Sequence, residues 1–223
     1  MRRGTEQRSA VVRAAAVAGV AGSGLLFAVV VSLSIIQYEF MLSIGWRPLS
    51  DPGGAWPSGL ALGPYGWVMN ATFLASGLLL AIFSFGLKRS LPPGSRLGPG
   101  LLFISAVAMA LLAFETDPIL REGPRSLHGS IHDAAFVVFA LAMLSGLFFL
   151  WWRMRSDALW RRHARYTLAT GMVSITSLLL PGPAYYVFVL ALLSWLLVTA
   201  IRLLRSAQNR GREYNFSHLG REG

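Results

Sequence analysis

The chain has 223 residues, 54% of them hydrophobic and 13% charged, with a formal net charge of +10 and no cysteine. The lack of cysteine excludes disulfides, thiolate metal sites and cysteine nucleophiles. The basic residues are scattered over short segments between long apolar runs, so the positive charge reads as membrane topology and contact with anionic lipid headgroups, not as a nucleic-acid groove.

Six apolar runs, over residues 14–36, 65–87, 98–115, 129–152, 165–180 and 184–204, predict an all-α fold. Most are near the ~20 residues that a helix needs to cross a hydrocarbon core of about 30 Å, which makes the chain a polytopic membrane protein built as a six-helix transmembrane bundle over residues 14–205. Residues 1–13 form a polar, basic tail. In the first run the Ala/Gly-rich part precedes the greasier Leu25–Ile36 part, the reverse of a cleavable signal peptide, so this helix is expected to be retained. Its Ala15, Gly19 and Ser23, four residues apart, form a small-residue face on which another helix can pack closely.

The connection over residues 37–64 is the longest, with turn signals at Asp51-Pro52-Gly53-Gly54 and Gly63-Pro64, and a loop of that length is more often functional or capping than a plain connector. In the second run Asn70, Gly77 and Ser84 share one helix face, expected to point into the bundle. After the third run, Thr116-Asp117-Pro118 reads as the start of a short surface helix, with Asp117 as its N-cap and Gly123 at its end. The fifth run places Thr167, Thr170, Ser174 and Ser177 on one face, which should turn away from lipid, and Pro181-Gly182-Pro183 makes a tight turn into the sixth. Residues 206–223 read as a flexible tail.

Alternate segments differ sharply in Lys and Arg. With the N-terminus inside, 17 basic residues fall on the inner side and only Arg47, Arg121 and Arg125 outside, which predicts an N-in, C-in orientation with both tails cytoplasmic and loop 37–64 outside. One lysine among twenty basic residues fits a high-GC bacterial genome, hence a multi-pass protein of a bacterial plasma membrane.

That orientation gathers Glu39, Asn70, Glu115, Asp117, His128, His132 and Asp133 at the outer end. Ionisable groups near membrane depth are costly unless paired or hydrated, so the group is a candidate binding site for a lipid or small solute. His128 and His132, four apart, lie on one helix face. The favoured reading is a structural clip in which His132 meets Asp117 or Glu115. The alternatives are a zinc site using His128, His132 and Asp117, which would suit a metal-dependent lipid hydrolase, and a small proton-coupled transporter. No cofactor is required by the sequence. Haem is disfavoured because both rings lie on one helix and His163 belongs to the opposite surface.

The phrases Phe114-Glu115-Thr116-Asp117-Pro118, His128-Gly129-Ser130-Ile131-His132 and Asn70-Ala71-Thr72-Phe73 followed by Gly77 resemble the pattern of domain-of-unknown-function family 998, a group of bacterial membrane proteins. The resemblance covers residues 14–205. It implies a compact multi-helix integral membrane protein and assigns no reaction.

Overall fold

The computed structural model describes residues 2–48, 56–180 and 184–219. They form seven α-helices and one 3-10 helix: α1 (Arg2–Ile36), α2 (Tyr38–Ser43), the 3-10 helix (Pro57–Leu62), α3 (Gly66–Ser90), α4 (Leu97–Leu111), α5 (Leu127–Met154), α6 (Arg161–Leu179) and α7 (Ala184–Leu219). The turn signals at residues 51–54 and the Pro181-Gly182-Pro183 turn lie outside the described residues. Helical backbone extends from Arg2 and as far as Leu219, into both segments read as tails.

Each long helix packs on its neighbours in the chain, α1 on α3, α3 on α4, α4 on α5, α5 on α6 and α6 on α7, and α7 closes the ring against α1. Short connections over residues 91–96 and 155–160 make successive helices antiparallel. One end of the ring therefore carries the long loops and the other the arginine-rich connections; they are called here the loop end and the basic end.

Four helices hold stretches long and apolar enough to cross a membrane: Ser9–Ile36, Gly66–Ser90, Leu127–Met154 and Tyr186–Ala207. The chain is thus a polytopic helical membrane protein. Two of the six expected spans differ from the other four. α4 has 15 residues, about 22 Å of helix. α6 opens with Arg161 and Arg162 and carries a row of hydroxyls. Bulky side chains such as Ile35, Leu78, Phe103, Leu141 and Leu190 cover the outside of the ring, a surface that lipid and not water would solvate.

Small residues set the close approaches. Ala15 faces Gly86 of α3, and Gly19 lies where an added Cβ would be 2.7 Å from Phe83 and 2.8 Å from Ala200, so the expected small-residue face of α1 packs against α3 and α7 at once. Gly77 sits against the α4 backbone, 2.7 Å from the Ala106 oxygen and 2.8 Å from the Ala110 nitrogen when a Cβ is placed on it. Phe83 packs edge-on against the fully buried Trp195 at 6.2 Å.

The hydroxyl face of α6 is buried as expected. Trp195 Nε1 donates to Thr167 Oγ1 at 3.0 Å, and Thr199 Oγ1 donates to the Trp195 carbonyl. Because that proton is committed, His163 Nε2 is the donor in its 2.9 Å bond to Thr199 Oγ1. His163 is not a surface residue but 5% exposed. The reason is that α6 begins at Arg161, one turn before the apolar run, which puts His163 in register with Thr167 and Thr170.

An alanine at Gly77 must push α4 away, so Gly77→Ala should lower stability in detergent by about 1–3 kcal/mol. Gly100, on the same α4, has open space around it, and Gly100→Ala should be neutral or stabilising by about 0.5–1 kcal/mol. Thermal unfolding of the two variants side by side checks the difference.

Candidate functional site

A cavity of about 500 Å³ lies inside the ring at its loop end. Leu26 and Val30 of α1, Met69 and Phe73 of α3, Met109 of α4 and Leu112 just after it, Phe136 and Phe139 of α5, and Phe188 and Leu192 of α7 form its walls. The 3-10 helix forms the roof with Pro57, Ser58 and Gly59. Trp56 meets Phe136 edge-on at 4.9 Å, and Phe136 meets Phe188 at 6.3 Å. Thr116, Asp117, Arg125 and Asp133 stand at the mouth, where they also border a smaller cleft of about 280 Å³ that includes Arg121.

The roof is tied down by two residues that the sequence reading does not place in the site. Buried Gln37, between α1 and α2, donates from Nε2 to the Leu60 carbonyl at 2.8 Å and accepts from the Tyr65 backbone N–H at 3.3 Å. Buried Trp46 donates from Nε1 to the Trp56 carbonyl at 3.1 Å. The long loop is in this sense a cap.

His132 lines the cavity and is 5% exposed. Its Nδ1 is 3.0 Å from the carbonyl oxygen of Leu112 and 2.9 Å from that of Phe114. Both are acceptors, so Nδ1 carries the proton. The expected link from α5 to the preceding helix exists, but its partners are main-chain carbonyls and not the carboxylates of Asp117 or Glu115. The cause is the early end of α4 at Leu111, which leaves carbonyls without intrahelical partners beside the ring.

Asp117 also differs from its expected role. Residues 116–126 form no helix, and Gly123 adopts a positive φ of 105° within the loop. Asp117 reaches the start of α5 instead. It accepts from the Ser126 backbone N–H at 3.2 Å and from Arg121 Nη1 at 2.8 Å, while Ser126, the N-cap of α5, accepts from the Gly129 N–H at 2.9 Å. A Cβ at Gly129 would collide with the Asp117 carboxylate, so the glycine of the His-Gly-Ser-Ile-His phrase makes room for it. Hydrogen bonds from the Ser126 side chain, then its backbone, and the neighbouring Arg121 hold the Asp117 carboxyl below its ordinary value.

Of the other expected site residues, Asp133 forms an ion pair with Arg125 at the rim. His128 is exposed and meets Phe114 edge-on at 5.9 Å. Glu39 and Glu115 are exposed. Asn70 is half-buried, and its buried Oδ1 has no hydrogen-bond partner. The fold thus brings His132, Asp117 and Asp133 to the cavity and its mouth, without His128, Glu39 or Glu115. Among the described residues no three His, Asp or Glu side chains are grouped to hold a metal ion. Arg121 and Arg125 were counted only for topology, although two of the three outer basic residues falling beside the acidic cluster was a signal for pairing.

His132→Ala should destabilise the protein by about 1–3 kcal/mol, because two carbonyls lose their donor, whereas exposed His128→Ala should stay within about 0.5 kcal/mol. Asp117→Asn should lower the melting temperature by a margin that depends on pH. Since the folded-state pKa is depressed, the contribution is present above the ordinary value of 3.8 and is lost as the pH falls through the lower folded value. Melting curves of wild type and variant at stepped pH should therefore converge only in acid.

A family model described as a protein of unknown function, DUF998, matches residues 26–203. No curated protein and no solved structure matches the chain. The matched span contains every residue that lines the cavity, from Leu26 to Leu193. It covers well over half of the chain, which belongs to the DUF998 family.

Proposed function

We propose that the protein spans the membrane six times with both termini in the cytoplasm, and that its cavity takes up a lipid or another small amphiphile from the outer side. The observation that carries this reading is the contrast within one cavity, with aliphatic and aromatic walls below and Asp117, Arg125 and Asp133 at the mouth. A volume of about 500 Å³ falls within the roughly 300–1,000 Å³ of small-molecule sites. An apolar tail gains by leaving water or headgroup for such walls, and charged groups at the rim favour a polar head there. The reading is that of a binding protein in a bacterial plasma membrane.

The span count rests on the ring. α4 and α6 each lie between longer neighbours, and the arginines that open α6 can extend to the basic surface. The orientation rests on 17 basic residues at one side against three at the other. At the basic end the Arg155 guanidinium lies 3.6 Å from the Trp152 ring centroid, an aromatic-basic pair suited to the interface with anionic lipid.

Binding is tested with 11-(dansylamino)undecanoic acid and the protein in phosphatidylcholine nanodiscs. Fluorescence should rise saturably with wild type, and filling the cavity by Leu192→Phe together with Met109→Phe should weaken binding at least about tenfold. A non-saturable signal unaffected by filling would refute the reading. Orientation is tested with single cysteines at exposed Glu122 and Ser156. In intact cells an impermeant maleimide should label the first and spare the second; the opposite pattern reverses the topology.

A further inference from the structure

We infer that the amphiphile is one whose head carries a hydroxyl, and that this hydroxyl donates a hydrogen bond to Nε2 of His132. The inference rests on the binding role proposed above and deepens it. Most of the polar groups around the cavity already have partners: Asp117 is held by Ser126 and Arg121, and Asp133 by Arg125. His132 differs from them in being buried behind the mouth and in having only one ring nitrogen engaged.

That engagement determines what the other nitrogen can do. With Nδ1–H directed at the Leu112 and Phe114 carbonyls, the neutral ring carries its lone pair on Nε2, on the far edge of the imidazole. Moving the proton to Nε2 would leave the Nδ1 lone pair against two carbonyl oxygens, so the main chain that follows α4 dictates the tautomer. Phe73 packs edge-on to the ring at 6.3 Å and steadies its orientation. The cavity therefore offers an acceptor set among apolar walls. A hydroxyl satisfies it, whereas an ether or ester oxygen leaves two acceptors facing each other, and a buried site built for a donor discriminates strongly against a ligand that lacks one.

The probes are 12-bromododecan-1-ol and its methyl ether, titrated into protein in phosphatidylcholine nanodiscs and read by bromine quenching of tryptophan fluorescence, since Trp56 lines the cavity. The informative variant is His132→Asn, whose amide N–H can replace Nδ1–H toward the carbonyls while nothing replaces Nε2. Its fold is checked by thermal unfolding, and His132→Leu, which fills similar space and carries no acceptor, serves as a second variant if it is unstable. Wild type should bind the alcohol about tenfold more tightly than the ether, and the variant should bind the two equally. Equal saturable binding of both probes to wild type overturns this inference and leaves the binding role standing. An alcohol preference that persists in the variant overturns the assignment to His132. Saturable quenching by neither probe overturns the binding role and the inference with it.

Discussion

The hydrogen bonds from one imidazole nitrogen to the Leu112 and Phe114 carbonyls are the interaction on which the loop end of the ring depends. A helix that stops inside an apolar environment leaves carbonyls that water cannot satisfy, and each such orphan costs free energy. α4 stops at Leu111, and His132 from the next helix supplies the missing donor. Because that donor comes from a side chain, the chain can leave α4 early and cross to α5 as an irregular loop. The end of α4 thus becomes part of the cavity wall through Met109 and Leu112.

The other loop-end features follow from the same economy of polar groups. Asp117, freed from any helix of its own, turns its carboxylate to the start of α5, where Ser126 caps the helix and Gly129 leaves space. A negative charge at a helix N-terminus also lies favourably in the field of the helix dipole. Gln37 does comparable work on the other side by joining the start of α3 to the 3-10 helix. Apolar walls and a fixed polar rim are the joint result. At the basic end the polar groups are spent differently, in a seam of Trp195, Thr167, Thr199 and His163 that locks α6 to α7.

Features that depend on local periodicity and composition were legible in the sequence. Long apolar runs announced a helical membrane protein, Ala15 and Gly19 announced a close helix contact, and the spacing of Thr167, Thr170, Ser174 and Ser177 announced a buried face. The family was legible too: the phrases that resemble it lie within the matched span and fall on residues with strict steric or bonding demands, such as Gly77, Gly129 and His132. Features that depend on what another segment supplies were not. The end of α4 is set by a ring twenty residues away in the chain. Thr116-Asp117-Pro118 has a good helix start, but Asp117 gains more by binding the next helix. His163 looked superficial because the apolar run began after it, and Gln37 and Trp46 carried no motif at all. Proximity in the sequence of His128 to His132 suggested a shared site, yet the first turn of α5 leaves His128 exposed.

A measurement of the tautomer of His132 bears most directly on this account. The chain has four histidines, so nitrogen NMR of protein labelled at histidine, in lipid bilayers and with a His132→Asn sample to assign the signal, can resolve the ring. His132 should be protonated at Nδ1 with a bare Nε2, and the Nε2 resonance should move when dodecanol is added. A ring protonated at Nε2, with Nδ1 bare, would contradict both the bond to α4 and the acceptor offered to the cavity.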